Sequence, residues 1–254
     1  MVALWLSQTE WVALLILVVV FTSTGMLLHW LPSRPGASVF VETYQGVVAP
    51  LFSVSGAAFA LTISFLGNSV WDTARTATQI VTQEREGLLT VIALSSNRPG
   101  VAAQLPDLAR TYIRAVLQEE WNPPVAVISS PRTEAALHDL MRAVADPAIG
   151  RSLGAGLQTT LIDAVQRIAS ARTVRLGMVD LHTHHFRWTC ALLLALLMQA
   201  SIAVVHLNKA RPRALALFLA TASIIVIVGL VVISEGPFSG AVTVSPLLLR
   251  QILG

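Results

Sequence analysis

Four long apolar runs, two at each end of the chain, enclose a stretch in which apolar and charged residues alternate with helical spacing. The first run, Trp11 to Leu31, contains no charge, and its bracketing tryptophans Trp11 and Trp30 are 19 residues apart. That separation is about 28 Å of helix, the thickness of a hydrocarbon layer with an indole at each interface. The run is preceded by no basic segment and followed by no small-residue cleavage site, so it reads as a retained span. After a turn at Pro32-Ser33-Arg34-Pro35-Gly36, a second run covers Val47 to Val70 and leaves the apolar layer at Trp71-Asp72. Two further spans are predicted at Trp188 to His206 and Ala214 to Ile233, joined by the polar link Leu207–Arg213.

Between the hairpins the pattern is helical throughout. Thr73 to Ser95 continues the second span with no proline, which predicts one long helix running out of the membrane. Pro106 opens a second helix with Leu108, Ala109, Tyr112, Ile113 and Val116 on one face, ended by Asn122-Pro123-Pro124. A third is expected to be capped by Thr133 and to bury Leu137, Leu140 and Val144. A fourth should run from about Ser152 towards Gly177 with Leu161, Val165 and Ile168 inward. The expected fold class is therefore all-α: a polytopic membrane protein with four transmembrane helices in two hairpins and an intervening helical soluble domain. The expected segments are 1–71, an N-terminal hairpin; 72–187, the extramembrane domain; and 188–254, a C-terminal hairpin and tail.

Charge supports this division. Of 17 basic and 14 acidic residues, 12 and 11 lie within 72–187. A net charge of +3 is no footprint of nucleic-acid binding, and the single cysteine, Cys190, excludes an internal disulfide. The rule that cytoplasmic flanks are richer in Arg and Lys places both termini and the helical domain in the cytoplasm.

Wound at about 100° per residue, the second span sorts into faces. Ser53, Gly56, Ala60, Ser64 and Gly67 form a small face suited to helix packing. Roughly opposite lie Ser55, Phe59, Thr62, Leu66 and Ser69, where hydroxyls alternate with bulky apolar groups. That stripe either lines a pore narrowed at Phe59 and Leu66 or is ordinary packing with hydroxyls bonded to their own backbone. Val54, Ala58, Leu61 and Phe65 suit lipid. Gln199 lies near the midplane of the third span and calls for an interhelical hydrogen bond.

Asp180, His182, His184 and His185 precede the third span but offer two pairs rather than three converging ligands, so no metal site is expected. The doublets Glu84/Glu86 and Glu119/Glu120 read as solvated faces or salt bridges to Arg. No phosphate loop, nucleophile elbow or zinc-protease helix is present, which leaves an enzyme or a cofactor without residues to rest on.

One succession of residues runs through nearly the whole chain: Ala58-Phe59, Trp71, Ala74, Gln83-Glu84, Leu88-Leu89, Tyr112, Glu120-Trp121, Arg172 and Arg175, Glu235-Gly236-Pro237-Phe238-Ser239-Gly240, and Val244-Ser245-Pro246. It resembles the bestrophin-like membrane proteins of bacteria, with Glu235-Gly236 where that family has an acidic residue directly before Pro-Phe. The resemblance implies a relation to bestrophins, oligomeric anion channels with the pore along the second span and a neck of large apolar residues one turn apart. Phe59 and Ile63 are one turn apart here, but Gly67 follows, so the neck is not reproduced. Two functions stay open: a homo-oligomeric channel for small ions, and a non-conducting sensor or scaffold in membrane lipid whose helical domain binds a partner.

Overall fold

A computed structural model describes residues 10–31, 48–96, 98, 100–121, 129–179, 185–206, 209–238 and 244–253. The Pro32–Gly36 turn, the Asn122-Pro123-Pro124 stop, and Asp180, His182 and His184 lie outside these. Helices are α1 (Glu10–Trp30), α2 (Val48–Ser95), α3 (Leu105–Ala115), α4 (Pro131–Ala145), α5 (Pro147–Leu153), α6 (Ala155–Val179), α7 (His185–Val205), α8 (Ala210–Ile233) and α9 (Leu247–Arg250). No strand occurs among the described residues. Four helices among the described residues are long and apolar enough to cross a membrane: α1, α2, α7 and α8. The protein is an all-helical, multi-pass membrane protein.

The chain divides into two compact units. One joins Met1–Asp72 to His182–Glu235; the other joins Thr73–Leu181 to Gly236–Gly254, so the C-terminal tail packs with the helical domain's sequence. Helix α2 contributes its first half to one and its second half to the other.

In the membrane unit, Ala13, Leu17 and Phe21 of α1, Phe59, Ile63, Leu66 and Val70 of α2, Trp188, Ala191 and Ala195 of α7, and Ile224, Val228 and Val231 of α8 form one buried cluster. Burying side chains of this size excludes voids and orients each helix about its axis. Lipid does not drive apolar faces together, so packing and polar contacts must hold the bundle. The Gln199 carboxamide supplies such contacts: it donates to Thr221 Oγ1 at 2.7 Å and to the Phe21 carbonyl at 3.1 Å, and accepts from Thr24 Oγ1 at 2.9 Å. Gly25 makes the room, since a Cβ there would stand 3.1 Å from Thr221 Oγ1. The predicted interhelical amide is thus present and satisfied. At the end of α1, Arg213 is buried and donates to the His29 carbonyl at 2.8 Å. A guanidinium there answers one of the carbonyls that a helix terminus leaves open.

In the helical unit, Leu88, Val91, Leu105, Tyr112, Ile113, Leu140, Ile149, Leu161, Val165 and Ile168 build the core, and Leu249 of the tail closes it. Two local expectations fail. Ser130, not Thr133, caps α4, accepting from the amides of Arg132 and Thr133, with Pro131 in the first turn. The fourth helix starts at Ala155 rather than about Ser152, which belongs to the separate α5 opened by Pro147; Gly154, at φ +90°, turns the chain between them. Only glycine adopts that backbone cheaply.

Candidate functional site

Two constellations stand out, one in each unit. The first is the surface of α2 in the membrane unit. Ser55, Phe59 and Leu66 of the expected pore stripe are buried, and Thr62 and Ser69 are half-buried. Phe59 and Leu66 belong to the bundle core, and Ser55 bonds the Phe52 carbonyl at 3.1 Å and meets Ser201 Oγ at 3.3 Å. Ser55, Phe59 and Leu66 of this stripe therefore serve packing within the chain.

The small face points the other way. Ser53, Ala60 and Ser64 are exposed, as are Ala57 and Asn68 beside them, and a Cβ added at Gly56 would meet nothing within 4 Å. Gly67 alone of the small set is buried, against Val231 and the indole of Trp71. Ser64 donates its hydroxyl proton to the Ala60 carbonyl at 2.7 Å, which leaves its oxygen outward as an acceptor. Beside this strip lie Val54, Leu61 and Phe65, the last 72% exposed. On the other spans the exposed residues are mostly large and apolar: Leu15, Val19 and Met26 on α1, Leu193 and Leu197 on α7, Phe218, Val226 and Leu230 on α8. Among the four spanning helices described, α2 is the one whose outward face carries small and polar residues over several turns.

The second constellation is an ionic cluster within the helical unit. Glu84 and Arg175 are both buried, with Arg175 Nε 2.9 Å from Glu84 Oε2. Arg175 Nη2 also donates to Glu120 Oε2 at 2.9 Å, and Arg172 donates through Nη2 to Glu120 Oε1 at 2.7 Å and to Ser129 Oγ at 3.1 Å. Tyr112 donates its phenol proton to Glu84 Oε1 at 2.6 Å. Two carboxylates face two guanidiniums, so the cluster is neutral. Its cost in desolvation is offset only because each charge meets its partner at hydrogen-bond distance.

A π-helical turn, Val116–Glu120, aims the acids. Its wider winding sends both members of a sequence doublet to partners: Glu119 to Arg132 and the Ser130 hydroxyl, and Glu120 to the arginines. Trp121, next in sequence, stacks 5.2 Å from the Arg175 guanidinium and meets Phe238 of the tail edge-on at 5.7 Å. Burial raises the Tyr112 pKa well above its ordinary value, and the Glu84 charge adds to this. Burial alone would raise Glu120, but the hydrogen bond from Arg172 and the charge of Arg175 outweigh it, and the carboxyl titrates below its ordinary range. Arg175 is held protonated by Glu84 against the opposing effect of burial.

Of the two readings of the acidic doublets, salt bridges to Arg hold for Glu84, Glu119 and Glu120 and a solvated face for Glu86; the convergence of Glu84 and Glu120 on one arginine was not foreseen. The signal was nevertheless in the sequence. Glu84, Tyr112, Glu120-Trp121, Arg172, Arg175 and Phe238 are among the residues that carry the family resemblance. Among the described residues no group of three or more could hold a metal ion.

Four helices fit to span a membrane, a span with a small outward face and a helical unit with a buried ion cluster define a multi-pass helical membrane protein. The sequence model of the bestrophin-like domain matches residues 19–249. The chain belongs to the bestrophin-like family. Its fold is similar to that of a point variant of a bacterial bestrophin homologue from Klebsiella pneumoniae, with a TM-score of 0.63 and 12% identity over 94% of each chain. Two crystal structures described as point variants of a membrane protein are alike to the same degree, with TM-scores of 0.63, 94% of each chain covered, and identities of 13% and 14%. None of the curated proteins compared with the chain matches it.

Proposed function

We propose that the protein is a homo-oligomeric channel for small ions, its path running along the outward face of α2 formed by Ser53, Ala57, Ala60, Ser64 and Asn68. The observation that carries this reading is the contrast between that face and the large apolar surfaces of the other spans. Polar groups at membrane depth belong against protein or water rather than lipid. Copies of the chain arranged about an axis meet both needs: small residues allow close approach, and the hydroxyl and amide groups border a wet path. We prefer this face to the stripe Ser55, Phe59, Thr62, Leu66 and Ser69 because Ser55, Phe59 and Leu66 are buried within the chain.

Substituted-cysteine labelling in the Cys190→Ser background, combined with ion flux in liposomes, tests the reading. Ser64→Cys should react with a membrane-impermeant thiol reagent, and Phe59→Cys and Phe65→Cys should not. Absence of flux from folded wild type together with an unreactive Ser64→Cys would favour the scaffold function, in which the helical unit binds a partner.

A further inference from the structure

We propose that Asn68 is the specificity-determining residue of this path: its carboxamides, one from each subunit, form a polar constriction at the end of the span. The inference rests on the channel reading and adds the group that discriminates among ions. Asn68 is the longest polar side chain on the small face, after Ala57, Ala60 and Ser64. It follows Ser64 by four residues, just over one turn, and so lies on the same strip. Its side chain is exposed and makes no hydrogen bond among the described residues of the protomer, in contrast to the amide of Gln199, whose groups are all engaged.

The Trp71 indole leans back over Gly67, where an added Cβ would lie 3.8 and 3.9 Å from ring carbons Cη2 and Cζ3. Gly67 is on the far side of the strip from Asn68, and the indole itself stays 45% exposed. No Asp, Glu, Lys or Arg stands between Val48 and Trp71, so the wall offers no formal charge. A carboxamide supplies both an N–H donor and a carbonyl acceptor, and can replace hydration water around an ion of either sign. Such a constriction stays wet, in contrast to an apolar one that gates by dewetting.

The test uses the full-length protein in liposomes under a potassium chloride gradient. Asn68→Asp places a ring of carboxylates at the constriction and should shift the potassium-to-chloride permeability ratio towards potassium by about tenfold. Asn68→Leu should lower total flux by about tenfold through dewetting, and Phe65→Ala should change neither. Should Asn68→Asp fail to assemble, Asn68→Gln serves instead: its longer amide should reduce flux. Conducting wild type with selectivity and flux unaltered in the Asn68 variants overturns the inference and leaves the channel standing. Wild type that passes neither ion overturns both.

Discussion

At the scale of single residues, charge burial decides what the helical unit tolerates. Arg175 serves two carboxylates and one indole; Glu120 keeps Arg172 without it, but Arg175→Met strands Glu84 without a guanidinium. Removing one partner of a buried pair costs about 3–5 kcal/mol, and thermal unfolding of the purified protein should show a loss of that order. Tyr112→Phe removes one hydrogen bond to a charged group and should cost about 1.5–3 kcal/mol. Glu120 makes stability pH-dependent in a defined direction. Its folded pKa lies below the ordinary value of 4.5, so the folded state binds fewer protons than the unfolded chain around that value. The stabilisation is fully present above pH 4.5 and is lost as pH falls through the folded pKa. Unfolding temperatures measured from about pH 6 downward should therefore drop on the acid side, and Glu120→Gln should flatten that slope. These residues were visible in the sequence as acidic doublets and paired arginines. Their convergence was not, because Glu84 and Arg175 are 91 positions apart and amphipathic spacing is equally consistent with solvated charge.

At the scale of elements, two glycines of α2 should behave oppositely. A Cβ at Gly87 would stand 2.7 Å from Ile168 Cγ1 and 2.9 Å from the Ala164 carbonyl oxygen. Backbone cannot give way as a side-chain tip does, so Gly87→Ala should force α2 and α6 apart and lower stability by about 1–3 kcal/mol, the usual cost of overpacking. Gly56 faces open space in the protomer. Gly56→Leu should leave the protomer's unfolding unchanged and weaken assembly instead, read as a shift to smaller species in size-exclusion chromatography with light scattering. A loss of protomer stability without a change in assembly would count against a subunit contact at this face. The length of α2 was legible because no proline interrupts Leu51 to Ser95. The α4 cap and the start of α6 were misplaced by a few residues, since several Ser, Thr and Gly positions satisfy the same local rules and packing chooses among them.

For the whole molecule, orientation follows from charges flanking the spans, with the helical unit and both termini proposed as cytoplasmic. A cytoplasm-active reporter fused after Gly254 and a periplasm-active reporter inserted at Ser38 should both give signal; the reverse pattern would invert the assignment. What the sequence by itself determined is the part governed by transfer into lipid: the four spans, their interface tryptophans and the helical class. Hydropathy is a sum over neighbours in the chain, so it needs no knowledge of the fold. Which side of α2 is inward was decided only by tertiary structure. Its faces each fit some environment, and the choice depends on what α1, α7 and α8 place opposite them. The bundle fills the Phe59–Leu66 side and leaves the Ser53–Asn68 side uncovered. The ion cluster was decided in the same way, since a buried carboxylate is tolerable only where distant segments deliver their guanidiniums to it.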